Sequence, residues 1–247
     1  MKQLLFDFAY DEKGKIVFVE NAIRGNNYYC PDCGKEMVFK DSGKSGPGSR
    51  RPHFAHKVGG ENCTPESVLH KAFKQQTALL LEQYILEQKK LPISWICKDC
   101  NQVYEGNLLL LSKSVKMEYD MEICRPDIAL FDGNGRPIIA IEIVNTHAPE
   151  DYAISFYKEH GIVLVQYNVV QDDIHNIENK LRRPDSVSLC HNERCNSYNK
   201  MLFKVLNRGV PPFLVSPLTI YRIILRQPLY RINIPNRSRY YRKKYPL

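Results

Sequence analysis

The sequence predicts an α/β fold, in which a mixed central sheet is flanked by helices and carries cysteine-bearing inserts and an irregular C-terminal region. The centre of the chain alternates helix and strand patterns, the order typical of layered α/β proteins. Two Cys-x-x-Cys pairs interrupt that order and are typical of small loops held by a metal. We therefore expect three regions: residues 1–64 with strands and a zinc site, residues 65–195 as the core, and residues 196–247.

Composition and charge narrow the class of protein. The chain has 247 residues, 43% of them hydrophobic and 25% charged, values typical of soluble proteins. No apolar run is long enough to cross a membrane, and Asp7 interrupts an N-terminus that lacks a secretory pattern. We expect a cytoplasmic protein without membrane contact, whose eight cysteines are zinc ligands or free thiols rather than disulfides. The net charge of +8 suits a polyanionic partner.

The N-terminal region combines strand patterns with a loop rich in cysteine and histidine. Strands are predicted at 4–6 and 16–19, on either side of the polar turn 11–15. The following insert, residues 30–63, offers five side chains for a tetrahedral zinc site. They are Cys30, Cys33, His53, His56 and Cys63. We favour the set with His56, which lies nearer Cys63 in sequence, and keep His53 as the alternative. A redox dithiol is the other interpretation of the Cys pair, disfavoured by the loop-rich setting.

A long helix follows, with Thr64 as N-cap and Pro65 in the first turn. Its polar residues Glu66, His70 and Lys74 recur every four positions and so share one face. That face could hold a metal, a water molecule or a phosphate group; the alternative is a solvated stripe containing an ordinary charge pair.

A second Cys pair, Cys97 and Cys100, lies between the strands expected over residues 93–122. Its partners in a second zinc site would be Cys190 and Cys195, which would pin the C-terminal segment to the core. The alternative is that the pair is simply two thiols. Cys124 is then left over and is predicted to pack in the core.

Two acids lie in a predicted hairpin formed by residues 125–131 and 137–144, joined by a Gly-Asn turn. If Asp132 pairs with Gly135, then Asp127 faces Ala140, and Glu142 is its diagonal neighbour at about 5–8 Å. Two carboxylates so close repel each other, and a divalent cation relieves that repulsion. The alternative is a cross-strand salt bridge between Glu142 and Arg125.

The rest of the chain is predicted to contain a helix at 148–159, a buried strand at 162–167 and a proline-rich C-terminal third. The end of the chain interleaves cations and aromatic rings, a pattern suited to phosphates and stacked bases, although a solubilising tail has the same composition. These residues are Arg237, Arg239, Tyr240, Tyr241, Arg242, Lys243 and Lys244.

Five motifs in order resemble the competence protein CoiA-like family. They are Cys-Pro-x-Cys, Pro-His-Phe-Ala-His, Glu-Ser-x-x-His-x-x-x-Lys, Arg-Pro-Asp and Ile-Glu-Ile-Val-x-Thr-His, within residues 28–168. The resemblance implies a restriction-endonuclease-like, or PD-(D/E)xK, nuclease core with an N-terminal zinc-binding part, in a prokaryotic cytoplasm.

The resemblance also implies roles for individual residues. Asp127 and Glu142 are the two motif acids, and Glu66 and the carbonyl of Ile143 would complete the ligands of a catalytic Mg²⁺ or Mn²⁺. His147, just past the strand, would contact metal, water or phosphate; its alternative role is as a helix-entry residue. The motif lysine is absent, because Val144 occupies its position. Lys74 or His70 is the best candidate to replace it.

These observations support two hypotheses from different classes. The first is a metal-dependent endo- or exonuclease acting on DNA, with single-stranded DNA suggested by the family's tie to transformation. The second is a nucleic-acid-binding accessory whose catalytic site has decayed, which Val144 favours. Either could belong to a competence or phage-defence complex that binds a protein partner through residues 209–235.

Overall fold

Two five-stranded sheets, a two-stranded hairpin and three α-helices make up the described part of the chain. The computed structural model describes residues 5–41, 43, 51–60, 62–145 and 148–189. These residues all belong to one compact unit, 1–208, while the second unit, 209–247, lies outside the described residues. The architecture is mixed α/β, as the sequence predicts.

The N-terminal sheet is antiparallel and has the strand order β2-β1-β3-β4-β5. Its strands are β1 (Phe8–Tyr10), β2 (Ile16–Phe18), β3 (Tyr28–Tyr29), β4 (Glu36–Lys40) and β5 (His53–His56). The turn at 11–15 forms where it is predicted, but the strand before it starts at Phe8 rather than at residue 4. Within the cysteine-bearing insert, β4 and β5 pair with each other.

Helix α1 (Pro65–Leu86) begins as its sequence predicts. Thr64 is the N-cap, and it exchanges hydrogen bonds with Ser67 in a capping box. Pro65 occupies the first helical turn, where its missing N–H costs nothing.

The hairpin of β6 (Pro92–Ile96) and β7 (Val103–Asn107) follows and carries the second Cys pair in its turn. Trp95 anchors this hairpin to the end of the described chain, since its indole N–H donates to the carbonyl of Leu189 at 3.1 Å.

The second five-stranded sheet has the order β12-β11-β10-β9-β8, and only its β10–β11 pair is parallel. Its strands are β8 (Ser114–Met117), β9 (Ile128–Phe131), β10 (Pro137–Val144), β11 (Val163–Asn168) and β12 (Ser186–Val187). Helix α2 (Asp151–Glu159) connects β10 to β11, starting three residues after the predicted start at 148, and α3 (Ile177–Leu181) precedes β12.

The three central strands of the second sheet, β9, β10 and β11, are buried on both faces, which explains their nearly continuous apolar sequences. On one face Ile128, Leu130 and Ile141 join a core that includes α1 and the N-terminal sheet. On the other face Ala129 and Ala140 pack with residues of α2. Cys124 lies in that second cluster, as predicted. No helix within the described ranges has both the length and the apolarity needed to cross a membrane.

Candidate functional site

Four side chains from the N-terminal region form a candidate metal centre. The ligand atoms of Cys30, Cys33, His56 and Cys63 all lie within 4.8 Å of one another. Cys30 and Cys33 flank the turn between β3 and β4, His56 ends β5, and Cys63 immediately precedes the N-cap of α1. This is the set that the sequence favours, and it could hold a metal such as zinc.

The spacing of these atoms suits a tetrahedral ion. Zinc–sulfur bonds of about 2.3 Å separate two tetrahedral sulfur ligands by about 3.8 Å, and the Cys30 and Cys63 sulfurs are 3.9 Å apart. A zinc-bound sulfur and nitrogen are separated by about 3.5 Å, and Cys33 Sγ lies 3.4 Å from His56 Nε2. These two distances therefore match those expected between ligands of one zinc ion.

The first Cys pair has the backbone of a metal-binding knuckle. The N–H of Cys30 donates to the carbonyl of Lys35, and the N–H of Gly34 donates back to the carbonyl of Cys30, both at 2.9 Å. Gly34 has φ +70°, a left-handed conformation that glycine adopts without steric cost. Both cysteines are thus fixed by a folded turn.

Electrostatics favour a cation in this cluster. Burial raises the pKa of Cys63, and the Cys33 and Cys30 thiols raise it further. Burial also raises the pKa of Cys30. Burial alone would raise the pKa of Cys33 too, but backbone N–H groups, the other thiols and the charge of Lys35 lower it. Several thiolates this close are unstable together unless a cation neutralises them.

The alternative ligand His53 points elsewhere. It lies three positions before His56 on the same strand, so its side chain leaves the opposite face. His53 is 3% exposed, and its Nδ1 lies 2.8 Å from the carbonyl of Arg51. Gly60 packs against the His56 ring, and a side chain at this position would collide with the ring.

The second Cys pair repeats the knuckle geometry. The N–H of Cys97 donates to the carbonyl of Gln102 at 2.9 Å, and the N–H of Asn101 donates to the carbonyl of Cys97 at 2.8 Å. Asn101 has φ +54°, matching Gly34 in the first knuckle. The predicted partners Cys190 and Cys195 lie outside the described residues, so the complete second site stays a prediction.

The hairpin that carries the two acids has a different register from the predicted one. The turn closes one residue later than predicted, because Asp132 pairs with Arg136 and Gly135 takes φ +73°. A bulge between Pro137 and Ile139 shifts the register by one more residue, so Ala140 pairs with Ala129 instead of Asp127. Continuing this register by two residues places Asp127 opposite Glu142. The predicted pairing of Asp127 with Ala140 is therefore wrong by two positions.

The alternative salt bridge between Arg125 and Glu142 is also wrong. Arg125 instead donates to the carbonyl of Glu118 at 2.7 Å, and its guanidinium lies 3.7 Å from the Glu118 carboxylate. The shifted register explains this, because it places position 127 rather than Arg125 opposite Glu142.

Asp127 is held by two side chains of α1 and by β10. His70 Nε2 lies 3.2 Å from its Oδ2, Lys74 Nζ lies 3.2 Å from its Oδ1, and the N–H of Ile143 donates to Oδ2 at 2.9 Å. Burial would raise the pKa of Asp127, but His70, the Ile143 N–H and Lys74 outweigh it and lower the pKa. Asp127 is therefore ionised at neutral pH.

Glu142 has the opposite electrostatic character. Burial, reinforced by the charge of Asp127, raises its pKa to about 7, although a hydrogen bond from Tyr157 opposes the shift. The Tyr157 hydroxyl on α2 donates to Glu142 Oε1 at 2.9 Å. Two neighbouring carboxyl groups with pKa values pushed apart are typical of functional sites.

Glu66 contributes its backbone to this region. Its carbonyl accepts a hydrogen bond of 3.1 Å from the Asn145 side chain, which joins the first turn of α1 to the end of β10. Its side chain is exposed. Within the described ranges Glu66, Asp127 and Glu142 do not form a group whose ligand atoms all lie within 4.8 Å, and the cysteine–histidine cluster does.

Several predicted site residues lie outside the described residues. His147 is one of them, and so is the whole basic and aromatic stretch 237–244. Their roles stay predictions.

Two residues of the site, Glu118 and Tyr157, are not predicted from the sequence. Glu118 binds Lys74 at 2.7 Å and has φ +48°, a conformation uncommon for glutamate. Tyr157, on the buried face of α2, carries the Glu142 hydrogen bond. Glu118 lies in a loop with no periodic signal, whereas the apolar spacing of Ala153 and Tyr157 on α2 could have indicated an inward-facing tyrosine.

Comparison of the chain with protein-family models, with curated proteins and with solved structures found no match.

Proposed function

We propose that this chain is a metal-dependent nuclease that hydrolyses phosphodiester bonds of DNA, with a restriction-endonuclease-like core of the CoiA-like kind. The supporting observation is the position of Lys74. The motif lysine is missing at Val144, but the Lys74 ammonium lies 3.2 Å from the first motif acid, Asp127. A lysine from the helix thus supplies the positive charge that the strand lacks.

Lys74 acts as a fixed cation. Burial alone would lower its pKa, but Glu118 and Asp127 raise it above the usual lysine value. It therefore stays protonated at neutral pH and can stabilise charge on a phosphate in the transition state, but it does not act as a general base.

Asp127 and Glu142 would hold Mg²⁺ or Mn²⁺, together with Glu66 and the carbonyl of Ile143. Oxygen donors of this kind suit these ions. The Asp127 carboxylate has four lone-pair positions and accepts three hydrogen bonds, so one position can bind a cation. The ionised form of Glu142 is destabilised by burial and by Asp127, and a bound cation would neutralise it. When bound, such an ion polarises the phosphodiester and lowers the pKa of a bound water.

The remaining residues orient the site. His70 and the Ile143 N–H fix the Asp127 carboxylate, and Tyr157 fixes the Glu142 carboxylate from the other side of the sheet. Zinc at the cysteine–histidine cluster would stabilise the N-terminal region, and the basic segment 237–244 would hold DNA.

A cleavage assay tests the proposal. Labelled single- and double-stranded DNA is incubated with Mg²⁺, Mn²⁺ or EDTA, and wild type is compared with Asp127→Asn and Glu142→Gln. We expect metal-dependent cutting by wild type, and at least a hundredfold loss in each variant with DNA binding retained. Glu12→Gln, a change in the distant β1–β2 turn, is the matched control.

The second candidate is a DNA-binding accessory protein, as part of a competence or phage-defence complex. It is favoured by Val144 and by the exposed side chain of Glu66, which leaves the acidic pair without a close third ligand. In that case wild type binds DNA but does not cut it with either metal, and truncation before residue 237 weakens binding and its salt dependence.

A further inference from the structure

We propose that the cysteine–histidine cluster fixes the position of the acidic site, meaning Asp127 and Glu142 with the residues that contact them. It acts through the N-terminal half of α1, with Asp32 and Ser67 as positioning residues. Both residues lie between the candidate metal ligands and the residues that contact Asp127. Only the predicted effect on DNA cleavage rests on the proposed function.

The first link is a contact between the knuckle and the helix. Asp32 lies between ligands Cys30 and Cys33, and its Oδ2 accepts a hydrogen bond of 2.6 Å from the Ser67 hydroxyl. Lys71, one turn later, donates to the Asp32 carbonyl at 2.7 Å. The knuckle therefore touches two successive turns of α1.

The second link is covalent. Ligand Cys63 is followed directly by Thr64, the N-cap, whose side chain accepts from the Ser67 N–H at 3.0 Å. Ser67 thus bonds to both the N-cap and the knuckle, so an ion that binds Cys30, Cys33 and Cys63 fixes the start of α1 from two directions.

The third link runs along the helix to the acids. His70 and Lys74 follow Ser67 by one and two turns and contact the two oxygens of Asp127. A helix is stiff over two turns, so a displaced start moves both contacts together. Misplacing such groups by about 1 Å can cost about a hundredfold in rate.

Without the ion, the four ligands lose their common partner and the thiols can separate. The knuckle then no longer holds Asp32 against Ser67, and we expect the first turns of α1 to open more often. Both halves of α1 pack into the main core, the first through Ala72 and Phe73 and the second through Tyr84. Only the first half also contacts the knuckle, so the second half should stay closed when that contact is lost.

Hydrogen exchange measured by mass spectrometry tests this coupling. Zinc-loaded and chelator-treated protein are compared over residues 68–74 and over the internal reference 77–86. Zinc-loaded Asp32→Ala and Ser67→Ala are measured in parallel, with zinc content determined for each. Glu36→Ala is the matched control, because Glu36 pairs with Lys57 at 3.1 Å beside the cluster.

We expect both positioning variants to retain one zinc yet exchange at least about fivefold faster over 68–74, with 77–86 unchanged. Their cleavage rate should fall about tenfold, while Glu36→Ala behaves as wild type. Wild-type exchange over 68–74 in both zinc-loaded variants would overturn the proposal. If chelation opens the whole chain, the zinc-loaded variants still decide the question. If wild type cuts no DNA, the exchange result still stands, so failure of the nuclease proposal is distinguishable from failure of the coupling.

Discussion

Lys74 joins the two acids Asp127 and Glu118, with its ammonium 3.2 Å from the first and 2.7 Å from the second. The Lys74 and Asp127 side chains are only 10% and 15% exposed, so this is an ion pair largely removed from water. Such a pair contributes little when both partners are present, but it costs much free energy when one partner is removed.

Replacing Lys74 with methionine should therefore lower cleavage and stability together. We expect kcat to fall by about 10²–10³ because the fixed cation near the phosphate is lost. The melting temperature should fall because the buried Asp127 carboxylate loses the Lys74 ammonium and keeps only His70 and the Ile143 N–H. DNA affinity should change less than about threefold. Lys90→Met, an exposed change just beyond α1, is the control. Wild-type kcat in Lys74→Met would remove Lys74 from the mechanism.

The raised pKa of Glu142 predicts a pH-dependent metal affinity. A carboxyl group with a pKa of about 7 must lose its proton before it binds a cation, so Mg²⁺ or Mn²⁺ affinity should rise as pH increases through 7. Calorimetric titration at pH 6.5, in buffers of different ionisation enthalpy, should detect release of a proton on Mn²⁺ binding. In Glu142→Gln that proton release should vanish; a release that persists would assign it to another group.

The same pKa makes a prediction about stability without metal. The pKa of Glu142 rises from an ordinary value of 4.5 to about 7 on folding, so the folded state favours its protonated form. The resulting stabilisation, about 3 kcal/mol, is fully present below pH 4.5 and is lost as pH rises through about 7. Between pH 5 and pH 8, the free energy of unfolding should fall more for wild type than for Glu142→Gln, measured by urea unfolding in EDTA. Equal slopes would contradict the raised pKa.

The strands of the acidic hairpin were predictable from sequence, but their register was not. Alternating and continuous apolar runs identified β9 and β10, because burial on both faces demands them. The pairing depended on a left-handed Gly135 and on a bulge beside Pro137, and each added one residue to the connection. The local sequence does not reveal such inserted residues, so it predicts that Asp127 pairs with Ala140.

The candidate metal ligands are more predictable from sequence than the surroundings of the two acids. Knuckle spacing and proximity to Cys63 selected His56, because both are local in sequence. Glu118 approaches Lys74 only through the tertiary fold, since 44 positions separate the two residues. No periodic pattern marks such a residue.

The choice between the two histidines gives a direct test of the cluster. His56→Ala should remove a ligand and lower bound zinc well below one equivalent after dialysis against a weak chelator. His53→Ala should keep its zinc, because its ring points to the other face of β5. Metal content is measured by elemental analysis on folded, monodisperse samples. Zinc loss in His53→Ala with retention in His56→Ala would reverse the ligand assignment.

Tyr157 sets how far the pKa of Glu142 rises. Its hydroxyl donates to Glu142 Oε1 at 2.9 Å and lowers that pKa against the larger effect of burial. Tyr157→Phe removes the donor with little change in volume, so the Glu142 carboxylate becomes less stable, and the pH at which cleavage reaches half its maximum should rise by about 0.5–1. Tyr152→Phe, an exposed change on the same helix, should leave the profile in place. The measurement is the cleavage rate against pH from 5.5 to about 9 at a fixed Mn²⁺ concentration well below saturation, where metal occupancy still depends on the ionisation of Glu142. A profile that moves to lower pH, or does not move, would show that the Tyr157 hydrogen bond does not stabilise the ionised form of Glu142.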